Sequence, residues 1–327
     1  MGVTTKDLAK ICGVSRATIT RALHGTGSIK PETKQMILET EEKMGYQPDL
    51  LARSLVKGVS MTIGVIVVDL KNQYFSKMIN AMEKKMIENK YLLNITLHEN
   101  DHEIEKMLIR TLVGHRVDGL IISPSGYDQA FWKYLNELPV PSVVIGHKPE
   151  AEITTVGIDE KKATRSAVNF IYERGYKHIV FVVPPLKRAD SKDNMGHHQR
   201  LEGYCNAVKE LQLEQRIIYG EQYLEKIIQY MKKTKERPAF LCSGDVFAIE
   251  AYGALRKSGY LEKRDFGIMG FDHMDIPFGA LSKLSTVDNH IEEIGEQAAE
   301  QLLGMIRGER GVRHLEIPYK IIEGETV

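Results

Sequence analysis

The sequence predicts an α/β protein in which an N-terminal helix-turn-helix head and a hinge helix precede two doubly wound lobes. Three observations carry that prediction. Residues 1–48 hold three short helix signals with caps. From residue 61 onward, strand-like apolar runs alternate with helix-length stretches. The alternation then restarts after residue 173. At 327 residues the chain is too long for one comfortable core, so more than one packed unit is expected. Hydrophobic residues at 43% and charged residues at 27% exclude a disordered chain.

The head reads element by element. Thr4 with Asp7 three residues later resembles a capping box, and Leu8, Ala9 and Ile11 supply a short apolar stripe for a first helix of about two turns. Gly13 permits the left-handed backbone of a tight turn, and Ser15 caps a second helix over 16–24 whose Ile19, Ala22 and Leu23 face inward. Gly25 ends it. Pro31 opens a third helix through Met36, Ile37 and Met44, which Gly45 closes. The side of the second helix opposite the stripe carries Arg16, Ala17, Thr20, Arg21 and His24, the layout of a helix that reads base edges in a major groove. Formal charge agrees. Total Lys+Arg and total Asp+Glu are both 44, yet among the first thirty residues Lys6, Lys10, Arg16, Arg21 and Lys30 face Asp7 alone, so a basic head joins a more acidic body.

TTKDLAKICGVSRATITRALHG, followed by IKPETKQMILETEEKMGYQPDLLARSL, resembles the DNA-binding head and hinge of the lactose-repressor/galactose-repressor family of bacterial transcription regulators. The resemblance is dense over residues 3–58 and looser beyond. It implies DNA contacts from Thr4, Ser15, Arg16, Ala17, Thr18, Thr20, Arg21 and His24, and from Arg53 and Leu55 of a hinge helix that starts after Pro48-Asp49. Eight residues make a poor helix alone because nucleation is costly. In the family the hinge orders when two copies pack on DNA, and the leucine at the position of Leu55 wedges into the minor groove.

In the body, TIGVIVV, YLLNITL, DGLIIS, PSVVIG and ITTVGI alternate with helices near 75–89, 103–115, 128–137 and 160–173. KHIVFVV, IIYG, PAFLCS and FGIMGF then alternate with helices near 199–211, 222–235 and 246–258. The family body is periplasmic-binding-protein-like, with ligand held between two lobes at the carboxyl ends of strands. NQYFSKMINAMEKK, VDGLIIS, RLEGYCNAV, SGDVFAIEAYGAL and MGFDHMDIPFGALSKLSTVDN match its landmarks in order. The resemblance implies an effector cleft walled by Tyr74 and Phe75, with Ser125, His147, Arg200, Asp245, Asp272 and His273 around it. Gly146-His147-Lys148, Gly244-Asp245 and His273 depart from the neutral-sugar pattern. They leave two expectations open: an anionic effector, a sugar phosphate or sugar acid, anchored by Arg200, or a different neutral sugar with the substituted side chains turned to solvent.

The expected domains are the head (1–48), hinge and linker (49–60), and an effector-binding and dimerisation body (61–327). One lobe would take about 61–159 and 290–315, the other about 160–289 and 316–327. No GxGxxG after a strand, GxxxxGK[ST] loop, GxSxG elbow or HExxH occurs, so no enzyme, cofactor or metal is expected. His197 and His198 read as loop histidines. Cys12, Cys205 and Cys242 are widely spaced and odd in number, which suits reduced core thiols. With no apolar leader, a cytoplasmic homodimer on a pseudo-palindromic DNA operator is expected, with no membrane partner. Three mechanisms stay open: a ligand-switched repressor of a carbohydrate-metabolism operon, a family regulator switched by a phosphorylated carrier protein, and a cleft enzyme with a vestigial head.

Overall fold

A computed structural model describes residues 3–46, 58–71, 73–126, 129–146, 152–183, 195–275 and 283–327. The chain divides into two units, Met1–Ser60 and Met61–Val327. The hinge residues Leu50 to Lys57, with Arg53 and Leu55, lie outside the described residues, as do His147 and Lys148.

The head is built from α1 (Thr5–Cys12), α2 (Arg16–His24) and α3 (Pro31–Met44). Thr4 and Asp7 close a capping box: the Asp7 N–H donates to Thr4 Oγ1 (3.3 Å) and the Thr4 N–H to Asp7 Oδ2 (2.9 Å). Ser15 caps α2, accepting from the Thr18 N–H at 3.1 Å. Each helix ends on a left-handed glycine, Gly13, Gly25 and Gly45. Leu8, Ala9, Ile19, Ala22 and Ile37 form the small core. Ile11 departs from the expected stripe and is 56% exposed. At about 100° per residue the side facing the core is centred between Leu8, Cys12 and Ala9, and Ile11 falls beyond its edge.

In the body, β1 (Thr62–Val67), β3 (Gly119–Ile122), β4 (Ser142–Ile145) and β5 (Thr154–Gly157) lie inside a six-stranded sheet edged by β2 (Leu92–Leu97) and β11 (His314–Glu316). Its order is β11-β5-β4-β3-β1-β2, parallel throughout. A second parallel sheet holds β6 (His178–Val183), β7 (Arg216–Tyr219), β8 (Pro238–Cys242) and β9 (Gly267–Met269) in the order β7-β6-β8-β9. Strands such as TIGVIV and HIVFVV read as continuous apolar runs because helices cover both faces of a parallel sheet. The crossover helices are α4 (Gln73–Glu88), α5 (His102–Gly114), α6 (Gln129–Asn136), α7 (Glu160–Glu173), α8 (Met195–Glu210), α9 (Tyr223–Lys233) and α10 (Asp245–Lys257).

Four elements fall where sequence reading placed none. These are β10 (Thr286–Asp288) and β12 (Lys320–Ile322), which pair antiparallel, α11 (Ile291–Ile306), and β11. Three-residue strands are too short for a period of two to register. Helix α11 packs on α4 with Gly295 at the contact, where an added Cβ would overlap the Met78 carbonyl oxygen. Gly295→Ala is therefore expected to destabilise the body by about 1–3 kcal/mol, because backbone rather than a flexible side chain must give way. Urea unfolding with a midpoint unchanged from wild type would contradict the close packing.

Candidate functional site

On the head, Arg16, Ala17, Thr20 and Arg21 are exposed on α2 while Ile19 and Ala22 are buried beneath them. The first turn of α2 contains no acidic residue, so its N-terminal partial positive charge and the Arg16 side chain act together toward an anion. Thr18 is half-buried, its hydroxyl 2.9 Å from Ser15 Oγ, which makes Ser15 and Thr18 a fixed start for the helix. Thr20 Oγ1 donates to the Arg16 carbonyl at 3.0 Å. Gly27 lies against the stem of Arg21: a Cβ there would sit 3.3 Å from Arg21 Cδ. Thr4 caps α1, and its hydroxyl is engaged by Asp7 (2.6 Å). His24 is the last residue of α2, and its side chain is outside the described part.

In the body a cleft opens at the carboxyl ends of both sheets, with about 840 Å³ of space including its mouth. Strand order reverses at β1, between β2 and β3, and again at β6, between β7 and β8. Such switch points leave a crevice because the successive crossovers depart to opposite sides. Val68 follows β1, Ser123 and Pro124 follow β3, Gly146 follows β4, Gly244 to Phe247 follow β8, and Asp272 and Met274 follow β9. The first two turns of helices add Tyr74 and Phe75 from α4, Glu160 from α7, and Gly196, His197, Gln199 and Arg200 from α8.

Arg200 organises the polar part of this lining. Its Nε donates to Glu160 Oε2 (2.7 Å), Nη1 to the Ser243 carbonyl (2.7 Å), and Nη2 to Asp272 Oδ1 (3.0 Å) and Glu160 Oε1 (3.3 Å). The guanidinium stacks 3.6 Å over the Phe271 ring centroid. Burial works against its charge, but the Asp272 and Glu160 carboxylates hold it more basic than a free arginine. Burial raises Glu160 despite the opposing pull of Arg200. Asn289 Nδ2 also donates to Asp272 Oδ1 (3.0 Å). Asp272 sits at φ 102° and His273 at φ 50°, left-handed backbone that costs an ordinary residue about 1–3 kcal/mol and persists because surrounding bonds hold it. Tyr74 is pushed well above a normal phenol by burial, with Glu160 and Asp272 adding to the effect.

The residues expected in the cleft divide. Tyr74, Phe75, Arg200, Asp245 and Asp272 line it. Ser125 does not. It is buried, its hydroxyl donating to Glu105 Oε2 (2.6 Å) and its N–H to Glu105 Oε1 (3.1 Å), while Ser123 and Pro124 two and one residues earlier reach the lining. His273 is also absent from the lining; its Nδ1 lies 3.3 Å from Asp288 Oδ2, because the left-handed turn at 272–273 swings successive side chains apart. Sequence reading missed Glu160, Phe247 and His197. His197 is no loop residue: it occupies the first turn of α8 and lines the cleft, whereas its neighbour His198 is exposed. The i, i+3 spacing to Arg200 was the available signal. Arg200, expected as an anion anchor, is already paired with the Glu160 and Asp272 carboxylates.

The lacI family model of bacterial regulatory proteins matches residues 4–49, and a periplasmic binding protein-like domain matches residues 168–327. Catabolite control protein A of Priestia megaterium is 29% identical over 313 residues, spanning 92% of either chain. The HTH-type transcriptional repressor CytR of Escherichia coli (strain K12) is 29% identical over 337 residues, 99% of this chain and 96% of that one. In fold, the chain matches the lac repressor dimer bound to operator and the anti-inducer ONPF with a TM-score of 0.87 at 21% identity, covering 100% of this chain and 99% of that one.

Asp245 offers a test of the cleft's electrostatics. Burial lifts its pKa to about 7 although Thr286 Oγ1 (2.6 Å) and the Met274 N–H (2.8 Å) both bond to the carboxyl. A carboxyl that holds its proton more tightly folded than unfolded adds stability at low pH and loses it as pH rises toward about 7. Asp245→Asn presents its oxygen to the Met274 N–H and its amide to the Thr286 hydroxyl, as the protonated acid does. The variant should flatten the decline in stability between about pH 5 and 7, a decline of at most roughly 1.4 kcal/mol per pH unit in wild type. An unchanged slope by urea titration would assign the decline to other groups.

Proposed function

We propose that the chain is a DNA-binding transcriptional regulator of the bacterial lacI family and the repressor of a carbohydrate-metabolism operon, released or retained by a small effector in the cleft. The relative CytR is named a transcriptional repressor, which supports a regulatory reading over an enzymatic one. The observation that carries the proposal is α2, with Arg16, Ala17, Thr20 and Arg21 exposed over buried Ile19 and Ala22 within the family-matched head. Two copies would place α2 in successive major grooves of a pseudo-palindrome, with Arg53 and Leu55 of the paired hinges at the minor groove between them. A homodimer is supported by the edge strand β2, which leaves Leu92, Ile95 and Leu97 61%, 39% and 39% exposed, an apolar edge that a second copy would cover. The proposed domains are the head (1–48), hinge (49–60) and body (61–327).

The effector is proposed to be a neutral, hydroxyl-rich sugar. Arg200 brings one positive charge, which Glu160 and Asp272 more than match, so a phosphate or carboxylate would meet net negative surroundings. Carboxylate oxygens accept from hydroxyls, and Tyr74, Phe75 and Phe247 give the apolar walls on which a sugar ring can lie. Closure around the effector shifts DNA affinity only through a difference in effector affinity between the two states. Switching by a docked phosphorylated carrier protein is the second reading, favoured by the likeness to catabolite control protein A.

Arg21→Ala tests the DNA reading. Fluorescence anisotropy on an operator selected by the protein from random DNA should show a loss of roughly 1–3 kcal/mol, with little change on unrelated DNA. Equal losses on both would mean that Arg21 meets only phosphate. For the effector, calorimetry with D-glucose, D-ribose, D-fructose and D-xylose, each beside its phosphate ester, should find a neutral sugar that binds more tightly than its ester and alters operator affinity. An ester tighter than its parent would return the effector to the anionic class. Operator affinity that changes only with a phosphorylated carrier protein would favour the second reading.

A further inference from the structure

His197 lies three residues before Arg200 on α8, so both project on the same side of the helix, and its ring lines the cleft with its centroid 6.3 Å from Phe247 at a T-shaped angle of 68°. Burial drives its pKa down to about 3, Arg200 and His198 push the same way, and a hydrogen bond with the Ser243 backbone opposes them. The imidazole is thus neutral. Its Nδ1 is enclosed and, among the described residues, has no hydrogen-bond partner. Ser243 Oγ and Asn289 Oδ1, both in residues bonded to the Arg200–Asp272 network, share that condition. Buried polar atoms without partners are rare in folded proteins; of these three residues only His197 lines the cleft, and its orphaned nitrogen beside an ion-paired arginine marks a place where a ligand's polar group belongs. The Ser243 N–H is spent on the Val182 carbonyl, so the ring must donate to the Ser243 carbonyl oxygen; with Nδ1 unpartnered the donor is Nε2–H, which leaves Nδ1 with a lone pair.

We propose that His197 is a specificity-determining residue whose Nδ1 accepts a hydrogen bond from an effector O–H or N–H beside Arg200. The cleft then selects ligands with a donor at that point and rejects those whose corresponding oxygen is alkylated or ionised. An anionic oxygen facing the Nδ1 lone pair would be repelled, whereas a sugar hydroxyl completes the imidazole's bonding. This rests on the reading of the cleft as the effector site.

The test uses the full-length protein, calorimetry, and the tightest-binding neutral sugar of the four named above with its mono-deoxy and mono-O-methyl derivatives. In wild type, one hydroxyl position should lose about tenfold in affinity when deleted or methylated. His197→Phe keeps a flat ring against Phe247 and removes the acceptor. It should bind the parent sugar about tenfold more weakly and no longer discriminate against that derivative. His197→Asn places an amide oxygen near the Nδ1 position and should restore most of the discrimination. Parent affinity within about twofold of wild type in His197→Phe, or retained discrimination, overturns the proposal. 15N spectroscopy of wild type needs no variant: Nδ1 should be unprotonated and should shift on sugar addition, and a protonated or unresponsive Nδ1 overturns the assignment. Asp272→Asn separates the two levels. Binding that falls with Asp272→Asn but not with His197→Phe removes only the role of His197, while binding indifferent to both, or no binding by any of the four sugars, removes the effector reading with it.

Discussion

One buried guanidinium sets the terms for the body of this protein. Arg200 ties the start of α7 through Glu160, the end of β8 through the Ser243 carbonyl, and the turn after β9 through Asp272, which Asn289 holds from the end of β10. A charge removed from water needs nearly all its donors engaged, and removing one partner of such a pair typically costs about 3–5 kcal/mol. The requirement explains why the left-handed backbone at Asp272 is tolerated: the carboxylate must reach both Arg200 and Asn289, and the chain bends to bring it there. It also determines what the cleft can recognise, since the arginine's charge is matched before any ligand arrives.

The rest of the cleft follows from that arrangement and from strand topology. Both sheets reverse their winding beside the same space, and the ends of β1, β3, β4, β8 and β9 deliver residues to a common rim. Asp245, whose pKa burial raises to about 7, fastens the Met274 backbone and the Thr286 side chain to the start of α10. Glu105 does a comparable job on the other sheet, anchoring Ser125 from a fully buried position. Buried carboxylates in this body therefore hold turns in place beneath the cleft surface.

The head obeys different physics. Among the described residues its core is five buried side chains, so much of its definition comes from chain-local devices: a capping box at Thr4–Asp7, a serine cap at Ser15, proline at the first position of α3, and a left-handed glycine cap on each helix. These leave one face of α2 with no part in the core, which is the condition for that face to present Arg16 and Arg21 to solvent.

That contrast determines what was legible in the sequence. The head's helices could be read residue by residue because caps and the period of 3.6 act within a few positions, and the inner strands because parallel strands buried on both faces are unbroken apolar runs. The resemblance to the repressor family extended this reading to Tyr74, Phe75, Arg200, Asp245 and Asp272, all of which line the cleft. Only tertiary structure decided the chemistry there. Arg200 meets Glu160 and Asp272 across 40 and 72 residues of chain, separations at which local pattern carries no information about pairing. The same holds for Ser125 and His273, which sit near the cleft in sequence yet turn to Glu105 and Asp288, and for His197, which a helix begun five residues before Arg200 rotates inward. Short-range geometry places a side chain on a helix face, but whether that face meets solvent, a counter-charge or a cavity depends on which strand ends the crossovers bring together.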